Sequence, residues 1–433
     1  MANVSVDQAK LVMNTFAAYF QNNLISKDLV TWRKYDAEMN DRNGLTVVEQ
    51  VGPRYNVTQT TAGVQDLSSG TQDTVFGSEQ FKVDQVFGSS MGWGDFVKIR
   101  DLGEARESEA IKNAAINLSE KIDAYILRTT ALAANNWTGT PGNSLATFND
   151  VASGYTRLKE EGVEDADLRV VGTYGDKQSL GSAITNNNAS LTDIGSGTYR
   201  QGFSGEVAGL PILFTQQLPL LTFGTRTNGT VTNANSNVNY ADVAVSPAPG
   251  QYMSQTLSLS GLGANATIND GEVFTIAGVS AFDNRLGQAH PRLQQFRVIG
   301  NTTANGSGVA TVRIFPAMIV PGSGTGGNIG VNTAHATVSA APAAGAAVTF
   351  LGTAGASVRS RFVANKAAIQ VNTADLIMPA TGIGMRKSLT KVPLSVRMWK
   401  NSNFATGAHD VRFDVVLTAN VRDRRRIVRI NGA

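Results

Sequence analysis

The longest run of helical periodicity in the chain lies between Asp101 and about Ala134. The apolar residues there step by three or four positions along one face, at Ile111, Ala115, Leu118, Ile122 and Ile126. Asp101, with Glu104 three residues later, resembles a capping box at the start of this segment. About 30 residues at about 1.5 Å each predict a rod roughly 45 Å long, so we call it the rod helix. Helices of globular domains average about 11–12 residues, and we expect Ile111, Leu118, Ile122 and Ile126 to form its buried core.

Three shorter helices are also predicted. Ser5–Asn23 carries apolar residues at helical spacing and has Ser5 as a plausible N-cap. A second helix is predicted from about Phe148 to Glu161. A third runs from Asp176 to Ile184, and a strand from Leu168 to Tyr174 leads into it.

Two segments outside these helices have β character. From Tyr35 to Val97 the chain is rich in Gly, Thr, Gln, Val and Asp, and no helical period survives. About 60 such residues are too many for an ordinary loop, so we expect a protruding β-hairpin that depends on a partner for stability. Near the C-terminus, apolar residues alternate without a break from Val411 to Val421, which predicts a long strand.

The middle of the chain, residues 225–355, differs in composition from both flanks. It is rich in Gly, Ala, Asn, Thr and Ser, and only nine of its 131 residues are charged, none of them lysine. Short alternating runs such as Glu272–Val279 and Val309–Ile314 predict strands. Short strands between Gly and Asn turns favour a small β-barrel or sandwich inserted as a unit. Ala367–Ile377 and Leu394–Trp399 resemble the body of the protein, so the insertion interrupts one domain.

Composition narrows the class of protein. The 433 residues are 42% hydrophobic and 16% charged, and this balance excludes global disorder. No stretch approaches the roughly 18 apolar residues of a membrane helix, and the N-terminus lacks the pattern of a secretory signal. There is no cysteine, hence no disulfide and no thiolate site. We expect a non-secreted, multidomain α+β protein.

Charge is unevenly distributed along the chain. Residues 1–224 hold 18 Lys and Arg against 26 Asp and Glu, whereas residues 386–433 hold 11 against 3. Opposite fields on one chain can steer copies together, although ordinary solvated faces are an equal alternative. We hypothesise pairing between copies, and the candidate residues are Glu49, Asp66, Asp73, Glu79, Asp84, Arg422, Arg424, Arg425 and Arg426. The rival interpretation has these arginines contacting nucleic-acid phosphate.

Candidate chemistry is sparse. The three histidines, His290, His335 and His409, lie far apart, and none has a carboxylate at a metal-ligand or triad offset. Gly322–Gly327 satisfies G-x-G-x-x-G, but no helix is expected after it, so a glycine-rich turn is favoured. Glu160 and Glu161 are interpreted as solvated charge at a helix end. We predict no catalytic, cofactor or metal site and do not expect an enzyme.

The order of these parts resembles the major capsid proteins of tailed bacteriophages, which share the Hong Kong 97-type fold. The segments that carry this resemblance are Leu168–Val171 with the helix at Asp176, Gly197–Tyr199 and Ala208–Ile212. Gly205–Thr222, followed by an insertion containing Asn269–Val279, is similar to the coats of the short-tailed Salmonella phages (P-twenty-two-like). Coats of that group carry an inserted β-barrel domain at this point.

The resemblance implies a domain organisation for the whole chain. Its expected parts are an N-terminal arm (1–34), an extended hairpin loop over a neighbouring subunit (35–97), a peripheral domain with a spine helix (98–165), an axial domain in two parts (166–224 and 356–391), an inserted β-barrel (225–355) and terminal strands completing the peripheral domain (392–433).

The resemblance also implies a function. The protein would assemble with itself, as hexamers and pentamers, into the icosahedral shell around a double-stranded DNA genome. It would be found in the virion after assembly in the host cytoplasm. A separate scaffolding protein is expected, because no acidic pro-segment follows Met1. A portal protein and non-specific contact with DNA are also implied, but no cofactor and no membrane.

Two further expectations concern alternatives. Some coats of this fold cross-link a lysine to an asparagine, and Lys82 would be the candidate lysine. The insertion-bearing group manages without that reaction, so no cross-link is expected here. A β-rich decoration or adhesin-type virion protein is the alternative function, but such a protein has no use for the rod helix.

Overall fold

The computed structural model describes residues 2–39, 45–57, 72–94, 103–187, 206–380, 382–403 and 408–432 as an α+β protein. Its helices are α1 (Ala2–Asn23), α2, which is the rod helix (Gly103–Ala133), α3 (Phe148–Glu160), α4 (Tyr174–Asn187), α5 (Tyr240–Val243) and α6 (Asn328–Ala334). Its strands are β1 (Thr31–Met39), β2 (Leu45–Val51), β3 (Gly77–Val83), β4 (Gln85–Gly94), β5 (Asn136–Thr138), β6 (Leu168–Gly172), β7 (Glu206–Val207), β8 (Leu210–Phe214), β9 (Leu220–Thr222), β10 (Gly229–Val231), β11 (Gln255–Ser260), β12 (Thr267–Ile268), β13 (Val273–Asp283), β14 (Gln288–Ile299), β15 (Thr302–Thr303), β16 (Ala310–Phe315), β17 (Ala347–Phe350), β18 (Ser357–Arg359), β19 (Arg361–Asn365), β20 (Ile369–Leu376), β21 (Ile383–Ser388), β22 (Ser395–Asn403), β23 (Ala408–Val421) and β24 (Ile427–Ile430).

The predicted helices are confirmed, with differences at their ends. Helix α1 begins at Ala2, three residues before the Ser5 cap that we expected. Helix α3 begins at Phe148 as predicted, because Thr147 caps it and exchanges hydrogen bonds with Asp150 in a capping box. The expected start of the rod helix at Asp101 lies outside the described residues, as does Gly197–Tyr199.

Two compact units divide the chain. The first contains Met1–Val47, Lys82–Thr130 and Lys366–Arg422, and the second contains Val48–Phe81, Ala131–Asn365 and Asp423–Ala433.

The first unit is built on a six-stranded sheet of order β1-β20-β23-β22-β21, with β4 also paired to β23. The long terminal strand β23 is confirmed. Its Phe413 stacks on Phe16 of α1, with ring centroids 3.9 Å apart. Phe87 of β4 lies 5.2 Å from the ring of Tyr125 in the rod helix. Apolar side chains of α1 and the rod helix are therefore buried with this sheet.

Strand pairing in this unit crosses the domain boundaries that we expected from the sequence. The predicted hairpin at 35–97 is shorter than expected, because its ends form β1 and β4 and pair with β20 and β23. Between these ends, β2 and β3 pair with each other in a separate two-stranded sheet. Strands β20 and β21, expected in the axial domain, also belong to the six-stranded sheet, since β20 lies between β1 and β23.

The second unit contains a second six-stranded sheet, of order β5-β24-β19-β6-β8-β7. Helices α3 and α4 pack on it through Val151, Leu158 and Leu180, which share one core with Val170 and Val428. The terminal strand β24 was expected with the peripheral domain. It lies instead between β5 and β19, where the backbone groups of both its edges are paired.

Residues 225–355 contain a closed β-barrel of order β10-β11-β16-β14-β13-β17. Alternate strand residues such as Leu257, Phe274 and Phe296 fill its interior. The predicted strands at 272–279 and 309–314 are confirmed as β13 and β16. Strands β9 and β18 pair with each other immediately outside the barrel, so the insertion leaves and rejoins the body through a two-stranded neck.

One expectation within the insertion is wrong. A helix, α6, does follow the glycine run Gly322–Gly327. The run nevertheless works as a turn, because three of its four glycines adopt positive φ.

Candidate assembly surfaces

The apolar stripe of the rod helix is internal to the chain. Ile111, Leu118, Ile122 and Ile126 are all buried, as predicted, while Lys121 on the other face is exposed. The buried Asp123 accepts hydrogen bonds from the backbone N–H groups of Ile25 and Ser26 at 2.8 and 3.0 Å. The turn after α1 is thereby fixed on the rod helix, and the exposed side of the helix is the side available to other molecules.

The acidic candidates for contacts between copies occupy different environments. Asp73 and Asp84 are exposed, and Asp84 accepts a hydrogen bond from Gln85 at 2.7 Å. Glu49 is half-buried on β2, and Asp66 lies outside the described residues. Asp73 and Asp84 therefore remain available to a second copy.

Glu79 and Arg424 pair with each other inside one chain. The Nη2 atom of Arg424 lies 3.1 Å from Oε1 of Glu79, and both side chains are buried. Arg424 also donates to the carbonyls of Gly250 and Tyr252, at 2.7 and 3.1 Å. Its guanidinium stacks over the ring of Phe315. Our expectation that these two residues face another copy is corrected, because their charges are already neutralised and removed from solvent.

The remaining tail arginines lie nearer the surface. Arg425 and Arg426 both contact the carboxylate of Asp423, with nitrogen–oxygen distances of 3.1 and 3.2 Å. Burial alone would raise the pKa of Asp423, but the two guanidinium groups hold it down at about 2. Arg422 is exposed. These three arginines stay candidates for contacts with a second copy.

Arg429 is a structural residue that charge counting missed. It is fully buried, and its guanidinium donates to the carbonyls of Ala131, Gly271 and Leu132 at 2.6, 2.7 and 3.2 Å. Burial lowers its pKa to about 9, and the nearby Arg297 adds to this effect. The apolar residues around it, Ile427, Val428 and Ile430, are buried in β24, and they are the signal in the sequence for its burial.

The barrel is attached to the rest of the second unit by polar contacts from β14. Arg292 contacts Glu160 and Glu161 at the end of α3, at 2.8 and 2.9 Å. The side-chain amide of Gln295 exchanges hydrogen bonds with the backbone of Trp137, at 2.6 and 2.9 Å. We had interpreted Glu160 and Glu161 as solvated charge, but they hold the inserted domain to its own subunit.

The histidines and Lys82, which we singled out in the sequence, lie in different environments. His335 is buried and stacks on Tyr240 with ring centroids 3.5 Å apart. His290 is half-buried, and the side chain of His409 lies outside the described part of the chain. Lys82 lies 3.7 Å from Asp84. Across the described ranges no group of three His, Asp or Glu side chains could hold a metal ion, and no helix is long and apolar enough to cross a membrane.

A rod helix packed with one six-stranded sheet, and a second sheet interrupted by a closed barrel, define a major capsid protein of the Hong Kong 97-type fold. Such a protein is a structural component of the virion and forms shells with copies of itself. The chain belongs to the family of the P22 coat protein, gene protein 5, whose family model matches residues 1–426.

Several solved structures are similar to this chain. The structure of Mycobacterium phage Che8 is 10% identical, with a TM-score of 0.43, covering 92% of this chain and 96% of that one. The capsid of cyanophage P-SCSP1u is 11% identical, with a TM-score of 0.45 and coverage of 95% and 88%. The CUS-3 coat protein I-domain is 22% identical, with a TM-score of 0.21, and covers 29% of this chain and 96% of its own. None of the curated protein sequences matches the chain.

Proposed function

We propose that this major capsid protein assembles as hexamers and pentamers into a closed icosahedral shell around a double-stranded DNA genome. The match of the P22 coat family over residues 1–426 is the observation that carries the proposal. In this scheme the rod helix is the spine of the peripheral domain and the second sheet belongs to the axial domain. A separate scaffolding protein and a portal protein complete the assembly, which takes place in the host cytoplasm.

Exposed apolar side chains support the idea that the hairpin lies over a neighbouring subunit. Val48, Val57 and Phe76 are 60%, 89% and 57% exposed in the single chain. Exposed apolar side chains of this kind favour a protein contact where they form a patch. In a shell, the neighbouring copy would cover them.

Electron microscopy of the chain co-expressed with its scaffolding protein tests this function. Closed shells of uniform diameter are expected, and they should contain this chain as the main component. The same chain expressed alone serves as the control for the requirement for scaffolding. Folded protein that stays as small monomers under both conditions would contradict the proposal.

A further inference from the structure

A cleft of about 650 Å³ lies within the second unit. Its walls are the chain that follows β2, the end of α3, the turn between β13 and β14, and the tail after β23. Four arginines line it: Arg54, Arg285, Arg425 and Arg426. The volume lies within the range of about 300–1,000 Å³ typical of binding pockets.

The acidic residues of the cleft already have partners within the chain. Glu160 and Glu161 contact Arg292. The carboxylate of Asp283 accepts hydrogen bonds from the backbone N–H groups of Arg285 and Leu286, at 2.8 and 3.3 Å. Asp423 is shared between Arg425 and Arg426. The carboxylates of the cleft therefore leave two of its four arginines, Arg54 and Arg285, without an ionic partner.

Arg54 is one of two cleft arginines that form no ion pair among the described residues; the other, Arg285, donates to the carbonyl of Gly162 at 2.8 Å. The Arg54 side chain is exposed at the cleft. The nearby Arg425 is the main reason why the pKa of Arg54 is lowered, and Asp423 partly opposes this effect. Burial, then Arg54 and Arg425, lower the pKa of His335 to about 3. Two guanidinium groups that repel each other beside an open cleft mark a position where an anion would be stabilised.

We propose that this cleft binds a carboxylate-bearing segment of a second copy of this chain. The proposal rests on the proposed function, since it needs copies to meet in a shell. Apolar side chains flank the arginines, with Tyr55 56% and Leu286 72% exposed. Such walls suit an acidic peptide segment, and Arg suits a carboxylate because its fork can donate two parallel hydrogen bonds.

Nucleic acid fits the cleft less well than a protein segment. A phosphate backbone favours a continuous set of unbalanced cations, whereas carboxylates stand between the arginines of this cleft. Its volume is that of a few side chains. The bound group is therefore a carboxylate from protein, and DNA is an outcome that the experiment can distinguish.

Arg54→Glu in the full-length chain is the decisive variant, because it removes no ion pair of the described chain. We expect the melting temperature of the unassembled protein to be unchanged. The yield of empty shells should fall roughly tenfold or more, since like charges at an interface cost several kcal/mol. Arg54→Lys keeps the charge and should restore most of the yield.

Two results would overturn the proposal. One is a normal yield of empty shells from Arg54→Glu. The other is a normal yield of empty shells with a loss only of DNA-filled particles, which would assign the cleft to nucleic acid. If Arg54→Glu does not fold, Arg54→Gln replaces it with the same expected direction.

A second measurement separates this proposal from the proposed function. Citrate, a small tricarboxylate, should raise the melting temperature of the unassembled wild-type protein above that in sodium chloride of equal ionic strength. The rise should be smaller for Arg54→Gln. An equal rise in the melting temperature of both proteins would overturn the carboxylate site, even if the wild type forms shells. A wild type that forms no shells would contradict only the proposed function.

Discussion

Several of the basic residues that give the tail its formal charge are buried inside the protein. Arg424 pairs with Glu79, and Arg397 lies 2.7 Å from the fully buried Asp414. Arg429 has carbonyl oxygens as its partners. Buried charges persist only where paired or hydrogen-bonded partners offset the loss of water. The field that the tail presents to another molecule is therefore weaker than the sequence count suggests.

We expect Arg429→Met to destabilise the protein strongly. The substitution leaves three buried carbonyl groups without a donor, at about 1–3 kcal/mol each, partly offset because a buried charge is removed. A net loss of roughly 2–5 kcal/mol should appear as a lower midpoint of thermal unfolding in calorimetry. Arg359→Met is the matched control, since exposed Arg359 also donates to two carbonyls. It should change stability by less than about 0.5 kcal/mol, and equal effects would contradict a special role for Arg429.

We expect His335 to make stability depend on pH. Its pKa of about 3 in the folded protein lies below the roughly 6.5 of an unfolded histidine, so the unfolded chain binds more protons between these values. The neutral His335 side chain makes its full contribution to the free energy of unfolding above about pH 6.5. As the pH falls below this value, the free energy of unfolding decreases by at most about 1.4 kcal/mol per pH unit. His335→Phe keeps a ring against Tyr240 and cannot titrate. From pH 7 to 5 the melting temperature of the wild type should fall more steeply than that of His335→Phe, and parallel curves would contradict this origin.

At the scale of elements, the rod helix and the hairpin behave differently. The rod helix can be predicted from local sequence, because neighbouring turns show its apolar stripe and its length. The strand pairing of the hairpin cannot, because β1 and β4 pair with β20 and β23, which lie far away in sequence. A hydrophobic period predicts that a strand exists but not which strand it joins.

We expect Ile122→Asp to prevent folding of the first unit. Ile122 is fully buried at the middle of the stripe, and an unpaired buried carboxylate costs several kcal/mol, comparable with the stability of a domain. The yield of soluble protein should collapse on expression. Lys121→Asp, one position along on the exposed face, introduces the same side chain and should leave the yield near that of the wild type. Similar soluble yields from both variants would mean that the stripe is not buried.

At the scale of the whole molecule, the inserted domain is a closed barrel with its own core. Its interior is complete without residues from outside 225–355. The contacts that attach it are polar, as with Arg292 and Gln295, and apolar, as where Val273 shares a cluster with Trp137 and Phe223. We therefore expect the barrel core to form without the rest of the chain, while these contacts hold it on its subunit.

We expect residues 225–355, expressed alone, to fold as an autonomous domain. Circular dichroism should show a cooperative melt, and the amide spectrum should be dispersed. Residues 235–355 provide the matched control, because they lack β10, which closes the barrel by pairing with β11 and β17. That shorter fragment should melt without cooperativity. A random-coil spectrum from the longer fragment would refute the prediction.

The sequence by itself determined the elements that depend on neighbouring residues: the rod helix, α3, the alternating strand β23 and the composition boundary of the barrel. Each of these features depends on side chains within one or two helical turns or within one strand. Local sequence patterns are therefore sufficient to predict them. Only the tertiary structure decided which strands share a sheet and which charges are neutralised. Glu79 and Arg424 lie 345 positions apart, and no local pattern indicates that the fold buries them together. A charge count sums residues regardless of burial, whereas their electrostatic effect depends on where the closed chain places them.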